Sequence, residues 1–170
     1  MIGVALAKTV FQIHTASLTG ELLFRKKVGP PQFLQFMASQ PPALVVMEAC
    51  GSAHYWARIL MNAGHEVKLI AQQYVRPFVE RQKNDAADAE AIVIAARQPE
   101  MRFVVSKAEA QQARAVLFRG RERLVHQRTE FVNALRATFY EFGIVVLKGI
   151  AHLKCIEEEG ISLPTLVREE

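Results

Sequence analysis

Five consecutive apolar residues, Ala43-Leu44-Val45-Val46-Met47, run without a polar break into a carboxylate, Glu48. A short continuous apolar run of this kind fits a strand covered on both faces, and such strands belong to parallel sheets flanked by helices. The sequence on either side supports that reading. Ser52 can cap a helix over residues 53–63 that Gly64 ends, and residues 66–70 supply a further strand. A short helix from Gln72 to about Arg81 then follows. This is a β–α–β unit, so the sheet is parallel here.

The chain before this unit has a different period. Residues 2–5 form a short apolar, β-prone run, and residues 10–17 alternate, with Val10, Gln12, His14 and Ala16 opposed to Phe11, Ile13 and Thr15. Leu18-Thr19-Gly20-Glu21 reads as a hairpin turn returning into a third strand over 22–28. Arg25, Lys26 and Lys27 in that strand suit an edge protected by charge. After Gly29-Pro30-Pro31, residues 32–39 read as a short helix. Three antiparallel strands followed by β–α–β is the order of an RNase H-like fold, an α/β mixed sheet with flanking helices. Downstream, Asn84 or Asp85 caps a helix to about Arg97, and residues 102–105 form an extended link. Ser106 and Glu109 form an S-x-x-E capping box opening a long helix to about Phe142. At 1.5 Å per residue that helix is roughly 55 Å long, too long for the compact part before it. Leu117, Leu124 and Phe131 recur every seven residues, with Leu135, Phe139 and Phe142 continuing the stripe, the pattern of a coiled-coil or helix mate.

Composition narrows the classes. A hydrophobic fraction of 51% in 170 residues supports a real core, and a net charge of +4 with a pI near 9.3 suits an anionic partner. Cys50 and Cys155 make neither a metal knuckle nor a disulfide framework, which fits a reduced, cytoplasmic protein. No secretory signal is expected at the N-terminus. Residues 28–47 carry no charge, but four prolines and interspersed Gln and Ser residues exclude a membrane span.

Three carboxylates stand where an RNase H-like sheet gathers them. Glu48 ends the buried strand, at the carboxyl edge where open α/β sheets bind ligands. Asp85 and Asp88, in Lys83-Asn84-Asp85-Ala86-Ala87-Asp88, are three apart and share one helix face. Each has an ordinary alternative, since a strand-end acid can be merely solvated and helix first turns favour acids anyway. Mg²⁺ takes oxygen ligands and retains waters, so one or two carboxylates per ion suffice. Two such ions about 4 Å apart can activate a nucleophile and stabilise the leaving oxygen of a phosphodiester. That chemistry normally uses an acid on the first strand too, yet Ile2-Gly3-Val4-Ala5-Leu6-Ala7-Lys8 holds none.

These segments carry a family likeness. The opening Ile2 to His14 resembles the first strand pair of the DEDD transposases, the one-hundred-and-ten family of insertion sequences. Val46-Met47-Glu48-Ala49-Cys50-Gly51-Ser52-Ala53-His54 looks like that family's second acidic motif, and Lys83 to Ala89 like its third and fourth acids. Arg121-Glu122-Arg123-Leu124-Val125 and Glu141-Phe142-Gly143-Ile144 resemble the helical segment that follows. The resemblance implies an RNase H-like (RuvC-like) catalytic domain over 1–104, a long coiled-coil helical segment over 105–148, and a tail over 149–170 leading to an absent C-terminal domain. It further implies Mg²⁺-dependent, site-specific DNA recombination, guided in many members by a structured RNA, with Glu48, Asp85 and Asp88 as catalytic metal ligands. The family's first acid aligns with Ala5, and its nucleophilic serine belongs to the C-terminal domain, so this chain is expected to be inactive as it stands.

Basic residues supply the contrasting expectation, a non-catalytic RNA- or DNA-binding and dimerisation module. Arg114, Arg119, Arg121, Arg123, Arg128 and Arg136 crowd the long helix against Glu122 and Glu130, which suits backbone contact and a homo-oligomer through that helix. Arg76, Arg81 and Lys83 lead into the Asp85 helix and could steer a phosphate toward the acids. Tyr55, Trp56 and Tyr74 read as packing residues, and His14, His54, His65 and His126 as structural ones. A sugar-kinase-like ATPase would need glycine-rich phosphate loops, which the scattered glycines do not form.

Overall fold

The computed structural model describes residues 1–17, 19–79 and 85–149, with 152, 154 and 163–165, and at 85 and 86 the backbone alone. It divides into two compact units, Met1–Gln112 and Ala113–Glu170.

The described residues of the first unit form one mixed sheet. Its strands are β1 (Ile2–Leu6), β2 (Phe11–Ala16), β3 (Leu22–Val28), β4 (Leu44–Glu48), β5 (Glu66–Ile70) and β6 (Phe103–Val104), in the order β3-β2-β1-β4-β5-β6. β1, β2 and β3 are mutually antiparallel, whereas β1, β4 and β5 run parallel. This is the RNase H-like arrangement. Helices α1 (Pro30–Ala38) and α2 (Ala53–Asn62) cover one face, where Val4, Phe11, Ile13, Phe33, Met37, Val45, Met47, Leu60 and Leu69 are buried together. The other face carries α3 (Gln72–Val75) and α4 (Asp85–Ala96), with Val46, Ile70, Val75, Ala91, Ile92 and Ala95 as its core. β4 is therefore buried on both sides, as its unbroken apolar run requires.

α4 lies directly on β1 and reaches across β2 and β4. Gly3 makes this approach fit. A Cβ there would lie 2.5 Å from Val93 Cγ2 and 2.6 Å from the Ala89 carbonyl oxygen. Farther along α4, Glu90 accepts from Arg25 of β3 at 2.6 Å, and the Arg97 guanidinium donates to the Thr19 carbonyl at 2.7 Å. The helix is thus pinned to the β2–β3 hairpin as well as to β1.

Several boundaries differ from the sequence expectation, each for a local reason. α1 begins at Pro30 rather than Gln32, because Pro residues suit a helix start and Gln32 Oε1 accepts from the Gly29 amide at 2.8 Å. Ser52 occupies the N-cap position of α2 but makes no side-chain capping bond. The expected helix to Arg81 is shorter: α3 ends at Val75 and a single 3₁₀ turn, Arg76–Phe78, follows around Pro77. The extended link over 102–105 contains β6, paired antiparallel to β5. The S-x-x-E box does not form. The long helix α5 runs Glu109–Glu141, Gln111 Oε1 accepts from the Ala108 amide at 2.9 Å, and the buried Ser106 Oγ has no partner among the described residues.

The segment before α5 is clipped to α2 within the first unit. Arg58 donates to the Lys107 carbonyl at 2.9 Å and to Gln112 Oε1 at 2.8 Å, while the Lys107 amide donates to His54 Nδ1 at 3.2 Å. His65 is locked similarly, its Nδ1 accepting from the Ala43 amide and its Nε2 lying 3.0 Å from the Met37 carbonyl. In the second unit α5 exposes Leu117, Leu124 and Phe131, which are 74%, 68% and 65% accessible. Among the described residues no helix is long and apolar enough to cross a membrane.

Two predictions follow from these contacts. Gly3→Ala must push α4 off β1, because one clash is with backbone, and the expected loss is about 1–3 kcal/mol, read from the urea midpoint. An unchanged midpoint would show that α4 tolerates the displacement. Burial, then the charges of Lys107 and Arg58, hold His54 below its ordinary value of 6.5. His14 is also lowered, by burial first, against an upward pull from Glu90 and with a further downward push from Arg25. The unfolded chain therefore binds more protons just below pH 6.5, and stability is retained above that pH and lost as pH falls through it. Urea titrations between about pH 7.5 and 5.5 should show this decline. His54→Asn, which retains an acceptor but cannot titrate, should flatten it; equal slopes for the two proteins would remove His54 from the account.

Candidate metal and nucleic-acid site

The strand register places the key positions. Ile2 pairs with Val45, Gly3 with Val46 and Val4 with Met47, so the next rung sets Ala5 beside Glu48. Side chains alternate across a sheet, and Gly3, Ala5, Val46 and Glu48 share the face covered by α4. Ala5 packs against the core beneath α4, next to the strand end that carries the carboxylate. An acid at position 5 would lie alongside Glu48, and nothing larger than a methyl group occupies that position now.

Glu48 and Asp88 meet in one cavity of about 480 Å³, lined also by Gln72, Gln73, Val75, Arg76 and Val79. The chain enters this cavity from the ends of two parallel strands, β4 and β5, and from the first part of α4. Glu48 is held in the β4–β5 ladder opposite Ile70, whose carbonyl accepts from the Ala49 amide at 2.7 Å. Burial pushes the Glu48 carboxyl above its ordinary value, and the negative charge of Asp88 pushes it the same way. A carboxyl whose ionisation is opposed by burial and by a neighbouring negative charge marks a site that a cation relieves.

The donor set is hard oxygen, which suits a hard divalent cation rather than a thiolate- or imidazole-loving metal. Glu48 and Asp88 are the carboxylates the described residues bring together, and no group of three metal-ligating side chains occurs among them. Asp85 opens α4 one turn before Asp88, but its side chain lies outside the described residues. Arg81 and Lys83 also lie outside them. Arg76 lines the cavity, and among the described residues its guanidinium has no hydrogen-bond or ion-pair partner. Arg114, Arg119, Arg121, Arg123 and Arg128 are exposed on α5 in the second unit.

Gln72 and Gln73 were not singled out by their sequence, where they look like ordinary helix residues. Their signal was position: they follow β5 immediately, at the edge where β4 presents Glu48.

Comparison with known proteins decides the family. The model of the DEDD transposases of the IS110 type, described as "Transposase", matches residues 2–143. The chain belongs to this family. Its relatives among the DEDD transposases include the transposase for insertion sequence element IS1328 of Yersinia enterocolitica, 44% identical over 99% of this chain and 51% of that protein. Another is the transposase for insertion sequence element IS1111A of Coxiella burnetii, 39% identical over 88% of this chain and 41% of that protein. The chain thus spans about half the length of the curated relatives it matches. A solved structure, T. thermophilus RuvC in complex with Holliday junction substrate, aligns with 61% of this chain and 98% of that one, with a TM-score of 0.42 and 15% identity.

Proposed function

We infer that this DEDD transposase chain is the carboxylate-bearing part of a DNA transposase that cuts and rejoins DNA strands with Mg²⁺, in which Ala5 has removed one ligand. The observation that carries this reading is the convergence of Glu48 and Asp88 in one cavity, with Ala5 on the neighbouring rung. Glu48, Asp88 and, from its place one turn earlier, Asp85 would hold the ion. When bound, Mg²⁺ supplies a neutralising charge and acidified water for attack on a phosphodiester.

The protein's own residues do the rest. Glu48 and Asp88 present their charge from rigid elements, a ladder strand and a packed helix, which fixes where a phosphate can approach. Arg76, unpaired among the described residues, faces the same cavity and can hold the non-bridging oxygens of that phosphate. Arg81 and Lys83 add positive charge to the sequence between Arg76 and Asp85. The cytoplasm of a bacterium is the corresponding compartment.

As it stands the chain should not cleave DNA in Mg²⁺. Restoring the acid with Ala5→Asp should tighten Mn²⁺ or Mg²⁺ binding by about tenfold, since even outer-shell partners are worth roughly 10–100-fold in metal affinity. Calorimetric titration of both proteins measures this. Equal affinity, or Mg²⁺-dependent cleavage by the unaltered chain, would sink the assignment.

The exposure of α5 favours a second, compatible reading as a nucleic-acid-binding and oligomerisation module. Leu117, Leu124 and Phe131 are large apolar groups left in water at heptad spacing, which suits a helix mate in a homo-oligomer. Arg114, Arg119, Arg121, Arg123 and Arg128 beside them suit DNA or a structured guide RNA. Neutralising Arg119, Arg121 and Arg123 to Gln should weaken binding and lower the slope of log K against log salt by about three. Identical salt titrations for the triple variant and the parent would count against it.

A further inference from the structure

A groove of about 490 Å³ opens at the carboxyl ends of β1 and β4, on the face of the sheet covered by α1 and α2. Leu6, Phe11, Pro30, Cys50 and Trp56 supply its walls, Lys8 stands exposed on its rim, and none of its lining residues is acidic. It lies at the same sheet edge as the carboxylates but opens on the opposite face. Leu6 directly follows Ala5, and Cys50 is two residues past Glu48.

We propose that this groove receives a nucleobase turned out of the strand whose phosphate is held by Arg76 beside the carboxylates, a role that rests on the nucleic-acid function inferred above. The chemistry of the walls selects the occupant. An occupant must offer a flat apolar body to Trp56 and Leu6 and a negative charge to Lys8, and a nucleotide offers both. An apolar peptide segment would satisfy the walls but leave Lys8 without a counter-charge. The volume falls within the roughly 300–1,000 Å³ of small-molecule sites, which accommodates a base with its sugar.

The aromatic wall is also preorganised. Trp56 meets Phe11 edge-on at 5.1 Å, Phe33 at 5.5 Å and Tyr55 at 5.2 Å, so its ring is fixed before any ligand arrives. Little side-chain freedom remains to be lost on binding. Stacking on such a ring tolerates any base, because every base has a π-face. Turning a base out of its stack costs least in a single or distorted strand, so the groove favours that substrate over an intact duplex.

Trp56 is the single tryptophan of the chain, so emission excited selectively at tryptophan reports the surroundings of this one ring. The 170-residue protein is titrated with a labelled single-stranded oligodeoxynucleotide and with an abasic strand of the same length, following anisotropy and Trp56 emission together. The base-bearing strand should quench Trp56 and the abasic strand should not. Ala7→Leu, an exposed rim position that leaves the core untouched, should remove the quench and weaken binding by about tenfold with an unchanged melting curve. Binding by anisotropy with unaltered Trp56 emission overturns the groove and leaves the nucleic-acid function standing. Equal quenching by the abasic strand, or quenching that survives Ala7→Leu, overturns it as well. A concentration-dependent emission change without oligonucleotide would assign the groove to a second copy of the chain instead. Absence of binding in anisotropy overturns the groove and the nucleic-acid function together.

Discussion

The parallel pairing of β1 with β4 is the constraint on which the site depends. Backbone hydrogen bonds between these strands fix the register to the residue, and the register determines that position 5 and Glu48 look out from the same face at the same edge. A slip of one residue would turn Ala5 toward the α1–α2 core and separate it from the carboxylate. The two apolar faces of β4 hold the pairing in place, because each face is packed by its own layer of helices. The proposed metal site is therefore mounted on a strand pair packed from both faces.

How far the sequence disclosed this architecture varied with the range of the forces involved. The bounds of β3 and β5 and the existence of β4 were legible, because alternation and unbroken apolar runs are properties of the strands themselves. The helix after β5 was overestimated: the apolar pattern continues past Val75, but Pro77 lacks the amide that an α-helical turn needs. The capping box at Ser106 was a valid local pattern that lost to a competitor, Gln111, three residues into a later helix start. β6 has two residues, too few for any period to register.

The candidate site divides along the same line. Glu48 and Asp88 were recognisable because acids at a strand end and on an alanine-rich helix follow the order of this fold. Arg76 was noted as a cation leading into the acidic helix, and it shares the cavity with both acids. Gln72 and Gln73 were invisible, since nothing in a glutamine pair announces a cavity until the strand ahead of it is seen to end beside another. The groove at Trp56 was hidden for the opposite reason. Its aromatic residues look like core, and Phe11 is core, while Trp56 is left partly open where β1 and β4 end.

The glycine contact beneath α4 has a mechanical consequence. Asp88 immediately precedes Ala89, whose carbonyl, together with Val93, would meet a Cβ on Gly3, so one acid stands within a turn of the place where the helix presses on β1. Asp85 lies one turn farther out. Tilting a helix by ten degrees moves a point one 5.4 Å turn from the pivot by only about 1 Å. At the other end of the helix Arg97 reaches the hairpin tip at Thr19, a second contact that resists the same tilt. A tilt about the Gly3 contact therefore shifts Asp88 by less than it shifts either end of the helix.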